Sequence, residues 1–395
     1  MRKYLLVAFL IISFTSVFAF WPVAIFMDNF NDNCNEWEQK KTGKSSAFIK
    51  DGKYVMSFND INNTYIVTRR VATENGRFYQ IKASVNKNSN SGNYGFGLVF
   101  GYKDISNHYR LMVFNTGRYL VQKVENGTKT VILEKITNTF DNDARIFNFK
   151  IEKYRDILKF YVNDFEIGSK SNILFFGDFY GFCITGNCEI AIDDFSITSD
   201  RPDNWSMFGN FNKKKKILSD SFDDNSNMWP IGKSGAADIN ISGGALNIVN
   251  NANKGMLVIG KSFQLHPDSS FVFSASIKKT SGYVQNVYYG LAWGYKDSLN
   301  FSVFVTNGYG NYSIISMKDG VGKNIIDWEE SIGLNQGCAE NDMTLVYKPK
   351  ETMFFFNNYK AHSMPSVPFP VNSDVKFFVY GNASLKIDKT NIYYI

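Results

Sequence analysis

The chain has 395 residues, 44% of them hydrophobic and 16% aromatic, with 8 prolines and a formal net charge of +6. That much apolar material excludes a disordered or low-complexity chain and suffices for two folded domains. The basic excess is largely the run Lys213 to Lys216. Four lysines beside Asn and Gly describe a solvated linker, not the spread basic face of a nucleic-acid protein, so nucleic acid is not an expected partner.

In chain order, residues 1–19 read as a secretory signal. Arg2 and Lys3 form the basic region, Leu5 to Ile12 the apolar core, and Val17-Phe18-Ala19 a small-x-small cleavage site. The apolar run is shorter than the roughly 20 residues of a bilayer span. No later window is apolar enough to cross a membrane as a helix. The expected location is therefore secreted, periplasmic or cell-surface.

Beyond the signal the chain is strand after strand, at 53–59, 64–71, 78–86, 95–102, 108–115, 119–125, 148–153, 158–162 and 189–197. Each is short, β-branched or aromatic, and divided from the next by Gly, Asn and Asp clusters. Asn126-Gly127 and Asp319-Gly320 have the chemistry of tight primed hairpin turns. Residues 20–26 are apolar enough for a strand but have no evident place. Such regular short strands indicate an antiparallel sandwich.

The sequence then repeats. Gly97-Leu98-Val99-Phe100-Gly101-Tyr102-Lys103-Asp104 returns as Gly290-Leu291-Ala292-Trp293-Gly294-Tyr295-Lys296-Asp297, and at the same interval Asn107 returns as Asn300, Tyr119 as Tyr312 and Gly127 as Gly320. Trp37 returns as Trp229, Asn163 as Asn357 and Asp193 as Asp388, with slippage confined to loops. The expectation is all-β: two tandem antiparallel β-sandwich (jelly-roll) domains after a signal peptide, with a first domain at 20–199, a linker at 200–216 and a second domain at 217–395.

Four cysteines in an exported chain allow three pairings. Cys183 and Cys188 flank Ile184-Thr185-Gly186-Asn187, which reads as a hairpin turn, so they are the disulfide candidate if the loop spans all four residues; a two-residue turn would put them out of register. Their spacing fits no zinc signature.

The chain resembles concanavalin A-like lectin/glucanase jelly rolls, close to laminin G-like and 3-keto-disaccharide hydrolase-like domains. The motifs are the opening Asp-x-Phe with a following Trp (Asp28 to Trp37, Asp220 to Trp229), the central Gly-Leu-x-aromatic strand with its Asp-x-x-Asn sequel, Phe160-Tyr161-Val162-Asn163, and the closing Asp193-Asp194-Phe195. The second copy departs at its end, where Asp388-Lys389-Thr390 stands. This fold hosts lectins, enzymes and adhesive modules alike, so the resemblance implies fold more than activity.

Three groups of residues carry chemistry. Glycosidases need two carboxylates about 5 to 9 Å apart. The nearest approach is Glu189 and Asp193, which share a face, but the second copy has Ser384 and Asp388, and ion pairs explain these residues more simply. A structural calcium needs several carboxylate oxygens, for which Asp28, Asp32 and Asp193 are candidates, with Asp220, Asp224 and Asp388 in the second copy; turn-forming Asx side chains account for the same residues. Related domains often hold an ion in such a place, which is what the resemblance adds.

The third group is a ligand face. Alternation sets the bulky Phe96, Leu98, Phe100 and Tyr102 toward the core and leaves Gly95, Gly97, Val99 and Gly101 as a shallow outer floor, with His108, Arg110 and Met112 beside it. Tyr102, His108, Arg110, Tyr119, Tyr288 and Tyr295 are the candidate ligand residues, and Phe301, Val303 and Val305 replace the polar set in the second copy. The favoured function is an exported non-catalytic binding protein recognising a glycan. A structural or adhesive module binding a surface protein is the alternative, and a glycoside hydrolase the third.

Overall fold

The computed structural model describes residues 23–73, 78–136, 145–200, 211, 214–263, 265–282 and 286–395, apart from the side chains of 89–91. The signal expectation for 1–19 and most of the linker expectation for 200–216 lie outside these residues.

Twelve strands form the first half: β1 (Val23–Asp28), β2 (Lys40–Lys41), β3 (Ser45–Lys50), β4 (Lys53–Arg70), β5 (Tyr79–Asp104) and β6 (Asn107–Phe114). They continue with β7 (Arg118–Glu125), β8 (Thr128–Ile136), β9 (Ile146–Tyr154), β10 (Ile157–Val162), β11 (Phe165–Ser171) and β12 (Phe179–Ser199). The second half opens with β13 (Lys215–Asp220), β14 (Gly232–Ser234), β15 (Ala237–Ile241), β16 (Leu246–Asn250) and β17 (Met256–Ile259). Then come β18 (Phe271–Ser281), β19 (Tyr288–Asp297), β20 (Asn300–Thr306), β21 (Asn311–Lys318) and β22 (Val321–Glu330). The chain closes with β23 (Asn341–Lys348), β24 (Glu351–Phe356), β25 (Tyr359–Pro365), β26 (Asp374–Tyr380) and β27 (Ala383–Tyr394). No helix among the described residues is long and apolar enough to cross a membrane.

All pairings are antiparallel, and this is the all-β, jelly-roll type of sandwich expected. In the second half one layer runs β14-β15-β16-β27-β18-β23-β24-β25, with β13 on β27, and the other runs β17-β26-β19-β20-β21-β22. The first half has the same strand order, but β4, β5 and β12 each pass through both layers, so its two sheets are hydrogen-bonded into one. The separate strands predicted at 53–59 and 64–71, and at 78–86 and 95–102, are therefore continuous in β4 and β5. Bulges let such strands bend without leaving the ladder. In β12 the register shifts on either side of Gly186, whose φ is +79° and whose added Cβ would lie 2.1 Å from the Asn93 carbonyl oxygen. At the same corner of the second half, Gly381 (φ +85°) stands in the gap between β26 and β27.

The continuity of β12 corrects the expected Cys183–Cys188 bridge. The two residues lie five steps of about 3.3 Å apart on one strand. Cys183 sits on the outer face with Val99 and Met112, Cys188 in the core, and both are free buried thiols. The disulfide is Cys34–Cys338, with Cα atoms 6.1 Å apart and 304 residues between them.

Each half has its own core. Phe96, Leu98 and Phe100 of β5 meet Tyr109, Leu111 and Val113 of β6 in the first; Tyr289, Leu291 and Trp293 of β19 meet Phe304, Phe354 and Phe356 in the second. Each such side chain contributes roughly 1.5–3 kcal/mol on burial. The 20–26 segment finds its place here too, since Val23–Asp28 is β1 and pairs with the end of β12. Lys215 and Lys216, assigned to a linker from the sequence, open β13.

The halves are joined by more than the bridge. The Gln336 side chain donates to Ala72 O (2.8 Å) and accepts from Ala72 N (2.9 Å), while Gln336 N donates to Ile25 O (2.7 Å). Cys338 N donates to Asn35 Oδ1 (3.0 Å), and the buried Lys279 gives its Nζ to Gly282 O (2.8 Å) and Cys34 O (3.4 Å). The guanidiniums of Arg69 and Arg70 lie 5.6 and 5.2 Å from the Tyr309 ring centre.

Candidate functional site

The repeated motifs prove to be builders of corners. Asp28 accepts from Phe30 N (2.8 Å), Asn35 Nδ2 (2.8 Å) and Trp37 Nε1 (2.7 Å), and Asp220 accepts from Phe222 N (2.8 Å) and Trp229 Nε1 (2.6 Å). Burial raises the pKa of Asp28, and these donors pull it back. Asp104 Oδ1 accepts from Ser106 N and Asn107 Nδ2 as Asp297 Oδ1 does from Leu299 N and Asn300 Nδ2. The aspartates expected to hold calcium each have partners within the protein. Asp32 and Asp224 cap their own turns, Asp193 pairs with Lys53 (2.5 Å) and Asp388 with Lys386 (2.8 Å). Among the described residues no three His, Cys, Asp or Glu side chains group as a metal site.

The outer face of the first half is occupied by its own side chains. Arg110 and His108 are 6% and 2% exposed. Arg110 donates to Gln122 Oε1 through Nε (2.8 Å) and Nη2, and to Thr64 Oγ1 through Nη1 (2.8 Å). The His108 ring lies 5.6 Å from that of Tyr102, and neither of its nitrogens makes a well-formed hydrogen bond. Burial, then the Arg110 charge, pushes His108 down to about 4, against a smaller pull from the Asp104 backbone. Val99, Met112 and Cys183 are buried under this layer. The open floor expected beside His108 and Arg110 is thus filled.

Three further expectations shift. Tyr102, placed by alternation on the core side, packs on the outer face, because the β5–β6 register breaks beyond Phe100 where Gly101 has φ +56°. Tyr295 crosses in the same way beyond Trp293, with Gly294 at +60°. Tyr119 goes the opposite way: it stands across from Val113 and packs against the core.

The outer face of the second half is aromatic and half open. Phe301, Val303, Val305, Ala292 and Phe378 are buried beneath Tyr288, Tyr295, Trp328 and Tyr380. The Tyr288 ring centre is 4.8 Å from that of Trp328 and 5.5 Å from that of Tyr380, the two tyrosines being 11° from parallel. Tyr288 and Tyr380 also wall a depression of about 630 Å³ edged by Asn253, Lys254, Asn286 and Asn382, all four exposed. Tyr288 is legible in the sequence as an outer residue and Tyr295 only as a ligand candidate that alternation places inward; Trp328 and Tyr380 escape the alternation argument. The available signal is a lone Trp between Asp327 and Glu329 on a polar strand, where an aromatic has no core to fill.

Neither carboxylate arrangement is free. Glu189 accepts from Asn88 Nδ2 (3.1 Å), and Asp193 holds Lys53. In the second half Asp388 pairs with Lys386, and the Glu340 pKa is raised, by burial foremost and by the neighbouring Asp388 charge as well.

Neither a family model nor a curated protein matches the sequence. Solved structures do. The carbohydrate-binding module CBM66 from Bacillus subtilis aligns at TM-score 0.27 and 19% identity over 43% of this chain and 94% of its own. The catalytic domain of an endo-1,3-β-glucanase (laminarinase) from Thermotoga petrophila aligns at 0.34 and 12% over 46% and 99%. A Bacillus subtilis protein with a galectin-like fold aligns at 0.34 and 10% over 45% and 97%. Each alignment spans less than half of this chain and nearly all of the other.

Proposed function

We propose that this chain is an exported glycan-binding protein, two copies of one sandwich design, whose sugar site is the outer face of β17-β26-β19-β20-β21-β22. One observation carries the reading: Tyr288, Tyr380 and Trp328 form a half-exposed ring cluster beside a depression edged by three asparagine amides and an ammonium. Apolar faces of a pyranose ring suit such aromatics, and its hydroxyls need convergent donors and acceptors of the amide kind. Among the described residues, the walls of this depression also carry no carboxylate pair of the kind hydrolysis requires, which favours binding over cleavage. The Cys34–Cys338 bridge supports an oxidising compartment, as the reading of residues 1–19 does.

The test is binding of the full mature chain to a panel of neutral polysaccharides. Retention on one class, weakened at least tenfold in Trp328→Ala and in Tyr380→Ala with the circular dichroism spectrum unchanged, is the expected result. Retention unaffected by both variants, or no retention of the folded protein on any member, overturns the proposal and leaves a protein-facing adhesive module.

A further inference from the structure

We infer that the first half carries a second, separate site: a basic groove on the outer face of β3, β4, β12 and the start of β5, suited to an acidic polysaccharide. The inference goes beyond the aromatic site, which lies on the other layer of the other half.

The strand register builds the groove. Phe48, Val55, Ala191 and Asn86 stand side by side across β3, β4, β12 and β5. Val55 and Ala191 are low and form a floor, while Phe48, 38% exposed, rises at one side. Lys50, Lys53, Lys87 and Arg145 surround a space of about 700 Å³. The acids nearby are Asp51, Glu189 and Asp193. Asp193 is taken by Lys53 and Glu189 is engaged by Asn88, whereas Lys50 and Arg145 have no acidic partner among the described residues.

Lys50 and Lys53 face one another directly across the Asp51-Gly52 turn. Like charges at opposed positions destabilise a hairpin. The fold does not require them, because the same hairpin of the second half has Ser242 and Ala245 about Gly243-Gly244, and Glu340 precedes β23 where Arg145 precedes β9. With Lys53 balanced by Asp193, an anion between Lys50 and Arg145 would balance the two cations left over, and Phe48 offers a sugar ring a face to rest on. A polymer of sugars bearing carboxylate or sulfate groups meets both demands at once.

The experiment measures affinity of the full mature chain for polygalacturonate, dextran sulfate and neutral dextran across a salt series. We expect retention of at least one acidic polymer and not of dextran. The surface double variant Lys50→Glu/Arg145→Glu should weaken it at least tenfold and lower the slope of log K against log salt by about 2. Phe48→Ala should weaken it severalfold at unchanged slope. Trp328→Ala should leave this binding intact, so failure here and failure of the aromatic site are distinguishable. The inference is overturned if neither acidic polymer is retained at low salt, if the double variant binds as well as the parent, or if Lys214→Gln/Lys215→Gln/Lys216→Gln abolishes the binding instead. Tighter binding of DNA than of either polymer at equal salt would also overturn it.

Discussion

At one pair of cross-strand positions the two halves solve the same problem in opposite chemistries. Arg110 faces Gln122 across β6 and β7, and the corresponding pair on β20 and β21 is Val303 and Ile315. One step away, His108 opposite Val124 corresponds to Phe301 opposite Met317. Both layers bury the sheet beneath them, the first through the hydrogen bonds of Arg110 to Gln122 and Thr64 and the second through apolar contact that leaves aromatic rings partly open. The core faces beneath are alike in both. The difference shows that packing between the sheets fixes the inner residues, whereas the outer face is free to vary and is where distinct binding properties can arise.

The likeness is tested most severely at the opening corners. Asp28→Ala strands three donors and Asp220→Ala two, so we expect losses of about 3–5 kcal/mol for the first and a smaller loss for the second, read from amide exchange in β12 and in β27. Added calcium and chelator test the ion-site expectation in the same measurement: a stabilisation by calcium lost in Asp28→Ala or Asp220→Ala would support it, and no change with either would count against it.

The contrast itself is tested next. Gln122→Leu leaves the Arg110 guanidinium with Thr64 alone and should cost about 2–3 kcal/mol in the exchange of β6 and β7. Importing the other half's pair, Arg110→Val with Gln122→Ile, should return stability to within about 1 kcal/mol of the parent. A double variant worse than Gln122→Leu would show that the network is not interchangeable with apolar packing.

The smallest effect is in pH. His108 titrates near 4 in the folded chain against about 6.5 unfolded, so the unfolded state takes up its proton first as pH falls. The stability is complete above pH 6.5 and drains away between 6.5 and 4. At pH 5.5 the loss should be about 1 kcal/mol, and His108→Phe, the residue of the second half, should flatten the profile. An unchanged profile would mean that His108 does not titrate in this window.

Much of this is legible in the sequence, for physical reasons. Period-two alternation places Phe96, Leu98 and Phe100, and Tyr289, Leu291 and Trp293, inside, and the Asn126-Gly127 and Asp319-Gly320 turns have the positive φ values their residues allow. Alternation fails at a bulge, and so it puts Tyr102 and Tyr295 on the wrong side of Gly101 and Gly294. Gly186 reads as a hairpin turn because a glycine with positive φ serves a bent continuous strand equally well, and the mistaken cysteine pairing comes from that ambiguity. Cys34–Cys338 and Gln336 with Ala72 join residues with no local pattern between them, which no spacing rule reaches. Of the candidate site, Tyr288 is legible as an outer residue of a repeated strand. Trp328 lies on the last strand of its layer, and only the folding of that layer brings its ring onto Tyr288.

The bridge between Cys34 and Cys338, with Gln336 seated on Ala72 and Ile25, also sets a distance. If both proposed faces bind, their fixed spacing would make them a single bidentate reader of a polymer: once one is engaged, the other would meet its target at an effective concentration that reaches about the millimolar range when the spacing fits and falls to nearly nothing when it does not. Selectivity would then depend on the repeat length of the polymer as well as on its sugars, and cutting this disulfide would relax that ruler without altering either face.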